Sequence, residues 1–351
     1  MPVVQNGELT GIIARADLVR ALAQDIESTT AATTRDVSID ERLRELERRS
    51  WPNRARVVSH FEIEWELDWR ERCSMRRVAG FILFLLSGTV ISIASECPGN
   101  LNALGTSRVI VVDAAEHPRV GTLQYQETLP LNDREVVLTF DDGPLPPYTS
   151  SILDTLASNC VKATFFIIGR MANSNPDLVR RAYSEGHTIG THTENHPLNI
   201  ASLPIEHVER EVREGIASVT RALAGVAPAP FFRIPGLGRT EAIERYLESQ
   251  GLMIWSADVI PDDWKQISPD QVVERSLAGL KHKGKGILLL HDIHERTVEA
   301  LPTLLNKLKL AGFHIVHVVP VSPDRPKTVT VPTQWTLHTE DKNLDPSVPT
   351  E

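Results

Sequence analysis

From Leu131 to Pro320 one pattern repeats: a short apolar run, a polar loop, then a stretch of helical length. The apolar runs are Glu135–Phe140, Ala163–Ile168, His187–Gly190, Phe231–Arg233, Met253–Trp255, Gly286–Leu290 and His314–Val319. Between them lie Thr149–Asn159, Pro176–Ser184, Pro204–Leu223, Thr240–Ser249, Ser268–Leu280 and Arg296–Leu310. Proline opens several of these stretches and glycine follows several, the usual punctuation of helices. Strands that alternate with helices pair in parallel, because each helix is the crossover that parallel pairing needs. The expected fold is therefore α/β, a barrel of seven parallel strands.

That fold decides where the polar residues meet. Asp141 and Asp142 follow the first strand, His192 and His196 the third, Arg233 closes the fourth, Asp258 and Asp263 follow the fifth, and His291 and Asp292 the sixth. All are C-terminal strand ends, which converge on one rim of a parallel barrel. One carboxylate and two imidazoles make three ligands of a tetrahedral metal, with a fourth position left for water; that is the coordination of a catalytic zinc rather than a structural one. Strand geometry turns Asp141 and Asp142 to different sides, so one can ligate while the other acts as base toward the water. His192 and His196, four apart, share a face if helical. The HExxH pattern is excluded because Thr193 follows the first histidine, so the base must come from elsewhere. Arg233, in the apolar segment Phe231–Gly236, suits an ion pair that keeps a carboxylate charged. His291 closes the run Leu288-Leu289-Leu290 and can serve as general acid toward a leaving amine. Trp255 and Trp264 can line a sugar or acyl pocket, although tryptophan is as much a core residue. His187, His282, His294, His314 and His317 have no constellation around them and are given no role.

Composition narrows the partners. The 351 residues carry a formal charge of −9, which leaves no basic excess for phosphate neutralisation and excludes nucleic acid as the natural partner. Neutral polymers or small molecules fit better. Residues 1–74 are polar and charged, with Asp40–Arg49 a candidate short helix. Met75-Arg76-Arg77 precedes an apolar run, Val78–Ala94, and small residues close it, a secretory signal pattern with cleavage after Ala94. The alternative is an uncleaved membrane anchor, for which the run is marginally short. The expectation is that Met75 is the true start, that residues 1–74 are an upstream extension that is not translated, and that the body is exported, to a periplasmic or extracellular location. Cleavage leaves Cys97 and Cys160, an even number suited to an oxidising compartment, with their pairing open. The remaining segments are a linker or N-terminal arm at 95–130, the barrel at 131–320, and a Pro- and Thr-rich tail at 321–351, expected to be extended or disordered.

Five segments in order, TFDDGP, HTENHP, RIPG, the Asp/Trp stretch and LLLHD, resemble the motifs of the polysaccharide deacetylases, the NodB-homology group of carbohydrate esterases. The resemblance covers about residues 131–320. It implies a distorted (β/α)7-type barrel with parallel strands, and metal-dependent removal of N- or O-acetyl groups from sugars. By position it implies Asp141 as base, Asp142, His192 and His196 as ligands of a divalent metal, most naturally Zn2+, and Arg233 as the partner of Asp141. It further implies His291 as acid, oriented by Asp263 or, second, by Asp258. Leu289 and Trp264 would flank the acetyl methyl, and the Gly236 N–H would stabilise the oxyanion. Two departures stand out. The third motif commonly ends in tyrosine, where this chain has Gly236, and Asp258–Trp264 is longer than the usual spacing. The expected substrate is an N-acetylglucosamine polymer or oligomer such as chitooligosaccharide or peptidoglycan. The alternatives are an O-acetyl esterase on xylan-like polymers and a carbohydrate-binding protein without catalysis.

Overall fold

The computed structural model of the protein describes residues 2–5, 8–12, 97, 100 and 102–337. The chain divides into two compact units, Met1–Ser87 and Gly88–Glu351. In the first, strands β1 (Pro2–Gln5) and β2 (Glu8–Ile12) pair antiparallel. The expected helix Asp40–Arg49 and the run Val78–Ala94 lie outside the described residues, as does the tail from 338. No helix among the described residues is long and apolar enough to cross a membrane.

In the second unit nine strands form one sheet in which every pairing is parallel. Its centre is β5 (Glu135–Asp141), buried at every position. A strand covered on both faces reads as a continuous apolar run, which is why Val136-Val137-Leu138 lacks polar alternation. Alternation survives in direction. Val137 packs inside the barrel with Phe166, Phe231, Trp255 and Ile287, whereas Val136, Leu138 and Phe140 pack outward under the helices. Thr139 and Asp141 therefore continue the inner face toward the rim.

On one side β5 pairs along its length with β10 (Gly286–His291), a register that sets Asp141 directly opposite His291. On the other side β6 (Thr164–Ile167), β7 (Thr188–Thr191), β8 (Phe231–Phe232) and β9 (Met253–Trp255) follow in order. The sheet does not close by continuous strand pairing. One isolated bridge, Val259 to Leu288, spans from the segment after β9 to β10. The covering helices are α1 (Tyr148–Ser158), α2 (Gly169–Ser174), α3 (Pro176–Ser184), α4 (Ile205–Ala222), α5 (Glu241–Ser249), α6 (Pro269–Lys283) and α7 (Glu295–Leu310). Thr240 caps α5, and Ser268 with Gln271 forms a capping box on α6, with Pro269 in its first turn. Helix α6 runs three residues beyond the expected Leu280 to a left-handed Gly284 (φ 77°).

The structure adds detail to two expectations at the edges. Residues 95–130 are not only a linker: β3 (Thr106–Val112) pairs with β11 (His314–Pro320), and β4 (Arg119–Val120) pairs with β9. The tail is not free from 321 onward. Thr328 exchanges hydrogen bonds with Val111 on the outer edge of β3, and the Thr128 amide donates to the Trp335 carbonyl (2.7 Å). Trp335 is buried and stacks on His117, ring centroids 3.3 Å apart. An exposed strand edge and an apolar indole both gain from that docking. Cys97 and Cys160, left open by the sequence, form a disulfide that ties the segment before β3 to the turn after α1.

Candidate active site

Asp141 ends the inner face of β5 and meets Arg233, which follows β8. The Arg233 guanidinium is fully buried; its Nη1 donates to Asp141 Oδ1 (2.6 Å) and to Thr139 Oγ1 (2.8 Å). Its other donors go to the carbonyls of Trp255 and Ser256, and its plane lies 4.2 Å over the Phe166 ring. A buried cation needs such complete satisfaction. Asp141 Oδ2 is left to the cavity, 4.0 Å from His192 Nε2.

Asp142 leaves the strand in left-handed backbone (φ 77°) and turns its carboxylate to the histidines. Its Oδ1 is 3.4 Å from His192 Nε2 and 3.2 Å from His196 Nε2, and the three ligating atoms all lie within 4.8 Å of one another. His192 and His196 do not share a helix face as expected. They flank a tight turn after β7, with Thr193 (φ 64°) and His196 (φ 57°) left-handed. The Arg233 carbonyl accepts from His192 Nδ1 (2.6 Å), so Nε2 presents a lone pair toward Asp142. Asp142 Oδ1 is buried and has no hydrogen-bond partner. Burial alone would raise its carboxyl; positive charge on the surrounding His192, His291 and His196 pulls it well below the usual carboxylate range, the role a bound cation would take over. Burial and the neighbouring His192 lower His196, which favours the neutral, ligating imidazole. An orphaned carboxylate oxygen facing imidazole lone pairs is a donor set that fits a divalent cation.

Across the mouth, His291 Nδ1 donates to Asp263 Oδ1 (2.7 Å), and its backbone N–H donates to Asp263 Oδ2 (2.8 Å). Burial opposes the charged imidazole, but the Asp263 hydrogen bond and the charges of Asp263, Asp141 and Asp142 prevail, raising His291 to about 9. Thr297 Oγ1 donates to Asp263 Oδ2 (2.7 Å), fixing the carboxylate, and Arg296 donates to the Asp263 backbone carbonyl (3.0 Å), fixing the loop that carries it.

Asp258, the second candidate to orient His291, does not reach it. Its carboxylate accepts from Thr122 N (2.8 Å), Thr122 Oγ1 (2.7 Å), Thr128 Oγ1 (2.5 Å) and Ile287 N (2.7 Å). It comes before the chain has reached the rim and serves the β9–β10 junction instead.

Asp141, Asp142, His192, His196 and His291 share a cavity of ≈ 420 Å³ with Gly236, Trp264 and Leu289. Gly236 is left-handed (φ 56°), a conformation that costs glycine nothing, so the tyrosine-to-glycine departure coincides with a sharp loop. Trp264 is half exposed and edge-on to His291, while Trp255 is core. Leu198, Ile234, Leu237, Ile260, Ile293 and His294 also line the cavity and were missed. They come from loops or carry apolar side chains, so nothing in their spacing marks them. Thr139 and Thr297 were missed too; as single threonines they show no pattern.

Comparison with known proteins agrees with this geometry. A family model described as "Polysaccharide deacetylase" matches residues 128–255. The chain is 34% identical over 200 residues to a chitooligosaccharide deacetylase of Rhizobium leguminosarum bv. trifolii, covering 52% of this chain and 90% of that one. It is 34% identical over 188 residues to the peptidoglycan-N-acetylglucosamine deacetylase PgdA of Listeria monocytogenes, covering 53% of this chain but only 38% of that one. Among solved structures, the peptidoglycan deacetylase Bd3279 of Bdellovibrio bacteriovorus superposes with a TM-score of 0.55 at 30% identity, over 62% of this chain and 60% of that one. A parallel α/β sheet with paired aspartates, paired histidines and an aspartate-held histidine on one rim, aligned over nearly the whole of the rhizobial enzyme, is explained by common descent: the chain belongs to the polysaccharide deacetylase family.

Proposed function

We propose that the protein is a metal-dependent hydrolase that removes N-acetyl groups from N-acetylglucosamine units of a chitooligosaccharide or peptidoglycan-like substrate, releasing acetate. The observation that carries this reading is that strand register pairs Asp141 with His291 on the rim of the cavity that also holds the Asp142–His192–His196 cluster. Asp142, His192 and His196 would hold the cation, and Zn2+ suits their mixed nitrogen and oxygen donors. When bound, it supplies Lewis acidity to the acetyl carbonyl and acidifies water.

The chain's own residues supply the rest. Asp141, charge-paired through Oδ1 to Arg233, keeps Oδ2 for the proton of the attacking water. Gly236 lines the cavity, and its N–H would donate to the developing oxyanion. His291 is protonated at neutral pH; with Nδ1–H committed to Asp263, its Nε2–H is the proton delivered to the departing nitrogen as the C–N bond breaks. Leu289 and Trp264 provide the apolar walls for the methyl.

Export is part of the same proposal. The Cys97–Cys160 disulfide suits an oxidising compartment, as does a substrate found outside the cytoplasm. The test is acetate release from defined N-acetylglucosamine oligomers and from an O-acetylated xylan, before and after chelation. Chelator-sensitive release from the former, restored by Zn2+, supports the proposal; release only from xylan, or release indifferent to chelator, refutes it.

A further inference from the structure

The loop carrying His192 and His196 holds two non-glycine residues in left-handed backbone, Thr193 and His196. Such conformations are strained and persist only where surrounding structure imposes them. What imposes them is one face of α4, where Glu211, Gly215 and Ser218 stand at i, i+4 and i+7.

Each of the three makes a different contact with the loop. The Glu211 carboxylate grips Asn195 twice, accepting from its backbone N (2.8 Å) and its Nδ2 (2.9 Å). The Glu211 carbonyl, although mid-helix, also accepts from Glu194 N (2.9 Å). That approach is open because Gly215, the residue one turn on, has no side chain: a Cβ there would lie 2.5 Å from the Thr193 carbonyl carbon and 2.9 Å from Glu194 N. Ser218 Oγ donates to Glu194 Oε2 (2.7 Å), and Asn173 of α2 donates to Ser218 Oγ (2.9 Å). From α2, which packs against α4 at Gly215, the amides of Gly169 and Arg170 donate to the carbonyls of Thr193 (2.9 Å) and Glu194 (3.0 Å). Inside the turn, Thr193 Oγ1 accepts from His196 N (3.0 Å). Three successive residues between the two histidines are thus held by two helices, with the histidine rings left facing Asp142.

We propose that Glu211, Gly215 and Ser218 are positioning residues that set the affinity of the His192–His196 loop for its divalent cation. The inference rests on the reading of Asp142, His192 and His196 as metal ligands. Residues that orient ligands typically change metal affinity by 10–100-fold when removed. A face that only packed the helix would leave affinity unchanged.

The experiment measures Zn2+ affinity of the full chain by competition with a chromogenic chelator, alongside the unfolding temperature of each metal-free protein. Glu211→Ala and Gly215→Ala are expected to bind Zn2+ 10–100-fold more weakly than the parent. Glu211→Gln, which can still accept from Asn195 N, should recover most of that loss. Glu214→Ala, an exposed change on the same helix, should bind as the parent does. Ser218→Ala provides a milder second variant should Gly215→Ala not fold. Parental affinity in both Glu211→Ala and Ser218→Ala overturns the proposal, and so does an equal loss in Glu214→Ala, which would report damage to α4 as a whole. A parent chain that binds no Zn2+ overturns the underlying assignment of ligands instead.

Discussion

Replacing Asp263 by asparagine keeps the shape of the group behind His291 and removes its charge. The structure says what that charge does. Asp263 accepts from His291 Nδ1, from His291 N and from Thr297 Oγ1, and His291 is raised to about 9 against burial that pulls the other way. Without the carboxylate, the ordinary value of about 6.5 is an upper guide for the variant. At pH 7.5 the imidazolium fraction then falls from about 97% to about 9%, a tenfold loss of the acid form. Orientation suffers as well. Three donors face Asp263, and an amide turned either way sets its NH2 against one of them or forces the wrong tautomer. A total loss on the order of 10²–10⁴ in kcat/KM is expected, with the alkaline limb of the pH profile moved to lower pH. Stability provides an independent check. A histidine raised from about 6.5 unfolded to about 9 folded contributes on the order of 3 kcal/mol, fully present below pH 6.5 and lost as pH rises through 9. The asparagine variant should therefore be destabilised more at pH 6 than at pH 10. Acetate release from chitooligosaccharide between pH 5 and 10, paired with denaturant melts at both extremes, reads both effects. An unmoved alkaline limb would refute the role given to Asp263.

Other expectations follow from single contacts. Asp141→Asn should abolish turnover yet retain Zn2+, because the proposed ligand atoms belong to Asp142, His192 and His196; calorimetric titration with Zn2+ alone checks the second half. Asp258→Ala should leave the pH profile unchanged but cost on the order of 3 kcal/mol in denaturant melts, since buried donors at Thr122, Thr128 and Ile287 lose their acceptor. Reducing the Cys97–Cys160 link, which spans 63 residues, should lower stability by about 4 kcal/mol on chain-entropy grounds, with kcat unaffected because neither cysteine lines the cavity.

The architecture was legible wherever one segment carried its own signal. Met253–Trp255 and Pro176–Ser184 have the bounds the sequence implied, since an apolar run between turns and a proline-led amphipathic stretch are local features. Strand β3 was not recognised because it is a partly exposed edge strand outside the strand–helix alternation, paired with β11 some two hundred residues away. The same limit separates Asp263 from Asp258. Both acids lie in one loop, and only the path of the backbone decides which returns to the rim. The two histidines were found by type and spacing, but the spacing was compatible with a helix. The turn that holds them depends on Glu211 and Gly215, whose relation to the loop is tertiary. The disulfide, too, required a distance that residue counting cannot supply.

The lone bridge between Val259 and Leu288 has a dynamic consequence. An isolated bridge opens more readily than the long ladder of β5 with β10, so the amides of Val259 and Leu289, bonded across that join, are expected to exchange before those of the ladder beside them. Four residues past Val259 the chain reaches Asp263, the support of the proton donor. Warming should therefore loosen the acid before it melts the fold, and inactivation by heat should run ahead of global unfolding.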